Sequence, residues 1–278
     1  MIDGIGFGTW ALGESDWGPI SASDARNLLK TAWDLGFRHF DTAESYGNGR
    51  AEQLIGQAFR PALKGEREAF FIAGKSVVRD PRSQGVHLER SLRRCECEYF
   101  DRYYIHWPRE GISLPRAVEA LERYRRAGYI REIGLSNVSV QEFHAATAAA
   151  PITAVQFGYN ALWRIPERDG ITALTGTRSV AYSALAQGLL ARRFSAHPRW
   201  EATDHRARTP LFSEPLWKTI HQFNNEFIEI CTQFGVHPAA AALMWLRGGS
   251  GRVDEALVGG RTPEHLNTLV SGLSTLSA

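Results

Sequence analysis

Short apolar runs alternate with amphipathic stretches along the whole chain. Ile5–Thr9 is a run of small and apolar residues that predicts a first strand. Asp24–Leu35 has apolar positions at helical spacing, with Ser23 placed to cap it and Gly36 to close it. The same alternation predicts strands at Phe37–Asp41, Phe70–Lys75, Tyr103–His106, Ile133–Ser136, Ala154–Phe157, Ser179–Tyr182 and Glu255–Val258. Between them it predicts helices at Ala51–Phe59 (stopped by Pro61), Val86–Glu98, Leu114–Ala127 (capped by Ser113) and Val140–Ala148 (capped by Ser139). A broken helix is expected near 166–174 and a long irregular segment near 189–215. Further helices follow at Trp217–Phe234, Pro238–Leu246 and Pro263–Leu273.

Eight short apolar strands separated by helices imply parallel pairing through right-handed crossovers. Eight such units closing on themselves make an α/β fold of the (β/α)8 TIM-barrel type, here one domain over residues 1–278. An open doubly wound sheet is the alternative. The evenness of the repeat, with no linker or break in composition, favours the barrel. Gly6, Gly8 and Ala11 imitate a dinucleotide fingerprint, but that motif needs a helix to start at its second glycine. Trp10 to Pro19, with Gly13, Gly18 and Pro19, reads as loop, so any nucleotide is expected on barrel loops instead.

Composition narrows the setting. The 278 residues suit one barrel, and 44 % hydrophobic with 22 % charged residues is the balance of a chain able to bury a large core. Net charge is +2, which gives no reason to expect nucleic acid or an anionic membrane as partner. Cys95, Cys97 and Cys231 form no CxxC pair and are odd in number, against a disulfide framework or a zinc site. No metal site is expected. Without a secretory leader pattern or a run of about 18 apolar residues, the expected location is cytoplasmic.

Reactive groups gather where the strands end. Strand two gives Asp41 and then Tyr46, in a turn set by Gly47, Asn48 and Gly49. Strand three gives Lys75, strand four His106, strand five Ser136 and Asn137, strand six Gln156, Tyr159 and Asn160, and strand seven Tyr182. In a barrel of this kind these ends converge on one mouth.

The strings GFGTW, FRHFDTAESYGNG, AGKS, DRYYIHWP, IREIGLSNVS, AVQFGYN, VAYSALAQGLL and VGGRTPEH run through nearly the whole chain. In content and order the sequence resembles the aldo-keto reductase family. The resemblance implies a (β/α)8 barrel that moves a hydride between a nicotinamide cofactor, usually NADPH with NADH possible, and a small-molecule carbonyl. It implies Tyr46 as general acid, Lys75 and Asp41 as its tuners, and His106 as the group orienting the carbonyl. The chemistry agrees with those roles. Tyrosine is a poor acid unaided, a nearby ammonium stabilises phenolate, and an imidazole can hydrogen-bond the carbonyl oxygen.

By the same resemblance Ser136, Asn137 and Gln156 meet the nicotinamide carboxamide and Tyr182 stacks on the ring. Ser183, with backbone N–H groups of Leu185, Gln187 and Gly188, lies near the pyrophosphate. Thr9, Trp10 and Gly259 join the cofactor set at neighbouring strand ends. Arg261 and Thr262, before a helix opened by Pro263, form a natural phosphate site, with His265 beside them. His265 and Leu269 stand where many relatives have Gln and Asn facing adenine. Trp10, Trp107 and Trp163 are candidate substrate walls. Arg109, Arg164 and the charged run 199–208 read as solvated loop charges.

Many relatives begin with a hairpin that plugs the barrel floor and end with a long lid. This chain is expected to have little of either, so side chains or a partner subunit must cover the floor. Oligomeric state stays open. Two alternatives stand beside carbonyl reduction: sugar or alcohol oxidation, and a cofactor-sensing subunit with vestigial turnover.

Overall fold

All eight apolar runs are strands, and each pairs in parallel with the next. In the computed structural model, which describes residues 2–78, 80–248 and 253–276, they are β1 (Ile5–Gly8), β2 (His39–Asp41), β3 (Phe71–Ser76), β4 (Phe100–Ile105), β5 (Ile130–Ser136), β6 (Ala154–Gly158), β7 (Arg178–Tyr182) and β8 (Glu255–Val258). The order is β1 to β8, and β8 pairs back on β1 with Phe7 opposite Val258, closing the barrel. Helices α1 (Ala22–Asp34), α2 (Arg50–Gly65), α3 (Gln84–Cys95), α4 (Leu114–Arg126) and α5 (Val140–Thr147) connect the first six strands. A single turn α6 (Ile165–Arg168) follows β6. Helices α7 (Leu216–Gln233) and α8 (Pro238–Gly248) precede β8, and α9 (Pro263–Leu276) follows it. The ring of helices buries its apolar faces on the outward side chains of the strands: Leu28, Leu29, Leu54 and Ile55 belong to one cluster with Phe7 and Phe40.

Strand alternation sorts the lumen into three layers. The middle layer is apolar, with Ala73, Tyr104, Ala154, Val180 and Leu257. Tyr104 fills the space opposite Gly134, where an added Cβ would lie 2.4 Å from its ring. Below it is an ionic floor. Arg102, fully buried, donates to Glu132 at 2.7 Å and to Glu255 at 3.1 and 3.2 Å. His39 lies 3.3 Å from Glu255, and Arg102 sits over the Phe71 ring. Side chains therefore fill the barrel floor. Above the middle layer are Asp41, Lys75 and Gln156, all buried.

Several boundaries differ from the sequence expectation. β4 and β5 begin three residues earlier than their apolar runs, because Arg102 and Glu132 are strand residues of the ionic floor. α1 is capped by Ser21, whose hydroxyl accepts from Asp24 N at 3.0 Å, and not by Ser23. α2 continues through Pro61 to Gly65: Pro61 and Gln57 are both on the exposed face, where the helical bond that proline cannot donate is least costly to lose. α3 stops at Cys95, before Glu96 in the left-handed region (φ 53).

Candidate active site

β2 and β3 are neighbours with Asp41 opposite Ala73, which brings Asp41 and Lys75 to the same end of the lumen. The Lys75 ammonium donates to Asp41 Oδ1 and, at 3.0 Å, to the carbonyl of Thr42. Gln156 Nε2 donates to the other oxygen, Asp41 Oδ2, at 2.8 Å. Tyr46 stands in the turn after β2, with the ammonium 5.1 Å from its ring centroid. That turn is docked against the β1–α1 loop. Gly47 (φ 59) is forced to be glycine, since a Cβ there would lie 2.1 Å from the oxygen of Gly13. His106, one residue beyond β4, has its N–H bonded to Ser76 O at 2.9 Å, and its carbonyl accepts from Asn137 Nδ2 at 3.0 Å. Its ring is 5.8 Å from that of Tyr46, edge to face. The four strand-end residues thus converge on one mouth.

The electrostatics depart from the expectation at Tyr46. Burial, then the Asp41 carboxylate and Tyr182, push the phenol well above its ordinary value. The Lys75 ammonium, bonded to Asp41 and lying over the ring face, does not outweigh them. Burial also pulls Lys75 below the usual lysine range, against the opposing pull of Asp41. His106 is driven down to about 3 by burial and by the Lys75 charge, which leaves a neutral imidazole. The site therefore holds a neutral phenol, a paired ammonium and a neutral imidazole.

Facing these groups is a polar wall from β5 to β7. Asn137 Nδ2 also donates to Ser136 Oγ at 2.9 Å, and Asn137 Oδ1 accepts from Tyr182 OH at 2.7 Å. Beyond β7 the backbone curls through left-handed conformations at Ser183, Ala186, Gln187 and Gly188 (φ 54, 46, 56 and 102). Gly188 N–H is bonded to Leu185 O, while the N–H groups of Leu185 and Gln187 have no partner among the described residues. Curled backbone with free N–H groups is a cradle for anionic oxygens.

The aldo/keto reductase family model matches residues 4–276. The chain belongs to that family. The aldo-keto reductase YhdN of Bacillus subtilis is 29 % identical over 95 % of this chain and 83 % of its own length. The glycerol dehydrogenase AKR11B4 from Gluconobacter oxydans superposes with a TM-score of 0.84 at 26 % identity, covering 97 % of this chain and 85 % of that one. An aldo/keto reductase from Klebsiella pneumoniae, solved with NADP and acetate, gives 0.74 at 26 % identity, covering 97 % and 85 %. The protein is thus an oxidoreductase of the aldo/keto reductase family.

On this aldo/keto reductase barrel the remaining expected residues have varied surroundings. Thr9 gives both its N–H and its hydroxyl to the carbonyl of Asp41, at 2.9 and 3.0 Å. Gly259 is exposed at the end of β8, close to Gly8 O. Arg261 is not a free cation. Its guanidinium donates to the carbonyls of Trp17, Gly18 and Pro19 at 2.5, 3.1 and 2.6 Å, tying β8–α9 to the β1–α1 loop. Thr262 Oγ1 accepts from His265 N at 3.4 Å at the start of α9, and both residues are exposed. Leu269 is a core residue. Trp107 and Trp163 are large exposed aromatics, and Trp10 lies 6.4 Å from the Tyr46 ring. Arg164 is paired with Glu167.

Two features near the site escaped the sequence. Ser45 Oγ lies 3.4 Å from His106 Nδ1, and only its place beside Tyr46 could have flagged it. The segment around 200–209, read as solvated charge, packs on the β1–α1 loop instead. His205 meets the Trp10 ring at 4.8 Å and bonds Asp16 O, and Arg206 lies over Trp200 and Trp17. Among the described residues no cluster could hold a metal, and no helix is long and apolar enough to cross a membrane.

Proposed function

We propose that the protein reduces aldehydes or ketones to alcohols with NADPH, and that Tyr46 is the proton donor. The observation that carries this reading is the convergence of Tyr46 and His106 over the buried Lys75–Asp41 pair. The residues fit a nicotinamide dinucleotide. Ser136, Asn137 and Gln156 offer hydroxyl and amide groups suited to a carboxamide, Tyr182 an aromatic face, and Leu185 and Gln187 unpartnered N–H groups for phosphate oxygens. The Klebsiella relative solved with NADP supports the same assignment. When bound, the reduced nicotinamide supplies the hydride.

The chain's own groups manage the oxygen. His106, neutral, donates from Nε2 to the carbonyl oxygen and holds it beside Tyr46. The Tyr46 phenol, kept protonated by burial, gives its proton to that oxygen as negative charge develops there. Lys75, anchored by Asp41, places a positive charge against the phenolate that is left, and the phenolate recovers its proton from solvent.

The test is NADPH oxidation with a small aromatic aldehyde, wild type beside Tyr46→Phe. Loss of a general acid costs about 10²–10⁴-fold in turnover, with cofactor affinity by fluorescence unchanged. Preserved turnover in the variant would remove Tyr46 from its role. The likeness to a glycerol dehydrogenase favours a second reading, oxidation of a small polyol by the same groups in reverse. Faster NAD(P)+ reduction with glycerol than NADPH oxidation with any aldehyde would establish it.

A further inference from the structure

Gln156 stands on β6, four strands from Asp41 on β2, so the two residues face each other across the lumen of a closed eight-stranded barrel. The 2.8 Å bond from Gln156 Nε2 to Asp41 Oδ2 spans that lumen, with 1 % of Gln156 and 2 % of Asp41 exposed. Asp41 Oδ1 is on Lys75, so the two carboxylate oxygens are held from opposite sides. An amide has an NH2 end with two donors and an oxygen that accepts. With one N–H on Asp41, the second N–H and Oε1 remain for any other ligand.

We propose that Gln156 is a positioning residue for proton delivery: from the opposite wall it fixes the Asp41 carboxylate, and through it Lys75 beneath Tyr46, while its amide oxygen stays free for the cofactor. The role rests on the proposed carbonyl reduction. It differs from a purely cofactor-holding role because the amide nitrogen is engaged within the protein. Asn137 makes a parallel link, joining Tyr182 to the carbonyl of His106. The wall that faces the nicotinamide is therefore bonded to the groups that move the proton.

The experiment compares Gln156→Met, which removes both ends of the amide, with Gln156→Glu, which keeps an acceptor oxygen but turns a carboxylate toward Asp41. Two carboxylates at that distance hold one proton between them near neutral pH. The charged and titratable groups facing Asp41 are Lys75 from β3, Tyr104 from β4 and Tyr46 from the β2–α2 turn, all unchanged in both variants. In Gln156→Glu the protonated side chain can donate to Asp41 as the amide does. Its kcat, divided by that of wild type, should therefore rise about tenfold from pH 8 to pH 5. Gln156→Met should stay about tenfold low throughout, with folding of both checked by circular dichroism. A pH-independent ratio in Gln156→Glu, or a kcat equal to that of Gln156→Met at pH 5, would overturn the role.

The thermal midpoint without cofactor reads the contact apart from activity. Relative to wild type, Gln156→Glu should lose stability as pH rises from 5 to 7, because the folded state holds a proton that the unfolded chain has released. A flat difference would overturn the contact itself. A sloping difference with no carbonyl turnover in wild type would overturn the proposed reaction, and this role with it.

Discussion

His106 illustrates what burial does to a single side chain. Held at about 3 by desolvation and the Lys75 charge, it stays neutral across the physiological range. Its one N–H can therefore serve as a donor without a competing titration. The expected outcome is a kcat profile with no limb from His106 between pH 5 and 8. His106→Ala should lower kcat by about 10²-fold, the cost of removing one donor to a developing oxyanion. Stopped-flow turnover across that range, with imidazole NMR of the wild type, checks both. The meeting of Asp41, Tyr46, Lys75 and His106 was legible from sequence because Asp41, Lys75 and His106 close apolar runs and Tyr46 follows the first of them in a glycine-set turn. The electrostatic balance was not. Which way a phenol is shifted depends on burial and on every charge around it, and here Lys75 is bonded to the Asp41 carboxylate that opposes it.

At the level of elements, the β1–α1 loop is held from three sides. Gly47 abuts Gly13, His205 and Arg206 cover Trp10 and Trp17, and Arg261 gathers the carbonyls of Trp17, Gly18 and Pro19. Hydrogen bonds to a charged group are worth about 1.5–3 kcal/mol each. Arg261→Ala should lower the thermal midpoint of the cofactor-free protein by several degrees, and an unchanged midpoint would show that the loop does not depend on this tie. From sequence Arg261 reads as a cation awaiting phosphate, because its carbonyl partners lie more than 240 residues away. The same blindness to tertiary partners hid the first halves of β4 and β5. Arg102 and Glu132 are polar residues in a period-two pattern, and only the closed barrel shows that they satisfy one another. The helix and strand order was legible because period and punctuation are local.

The ionic floor acts on the whole molecule. Burial alone would push Glu255 up, but His39 and Arg102 bring it down to about 2. A carboxylate depressed on folding gives stability that is present above its unfolded value, about 4.3, and is lost as pH falls through 2. Urea unfolding should therefore weaken from pH 4.5 downward. Glu255→Gln should be less stable at pH 7 by about 3 kcal/mol, since it breaks a buried pair, with a shallower loss in acid. Equal slopes for the two proteins would place the acid lability elsewhere. The floor also decides traffic. With Arg102 and its partners across one end and the Tyr104 layer above them, described side chains fill the lumen from that end up to the site. In the proposed reaction the dinucleotide and its carbonyl partner would both have to come and go at the opposite mouth, so whichever lies beneath the other has to arrive first and leave last.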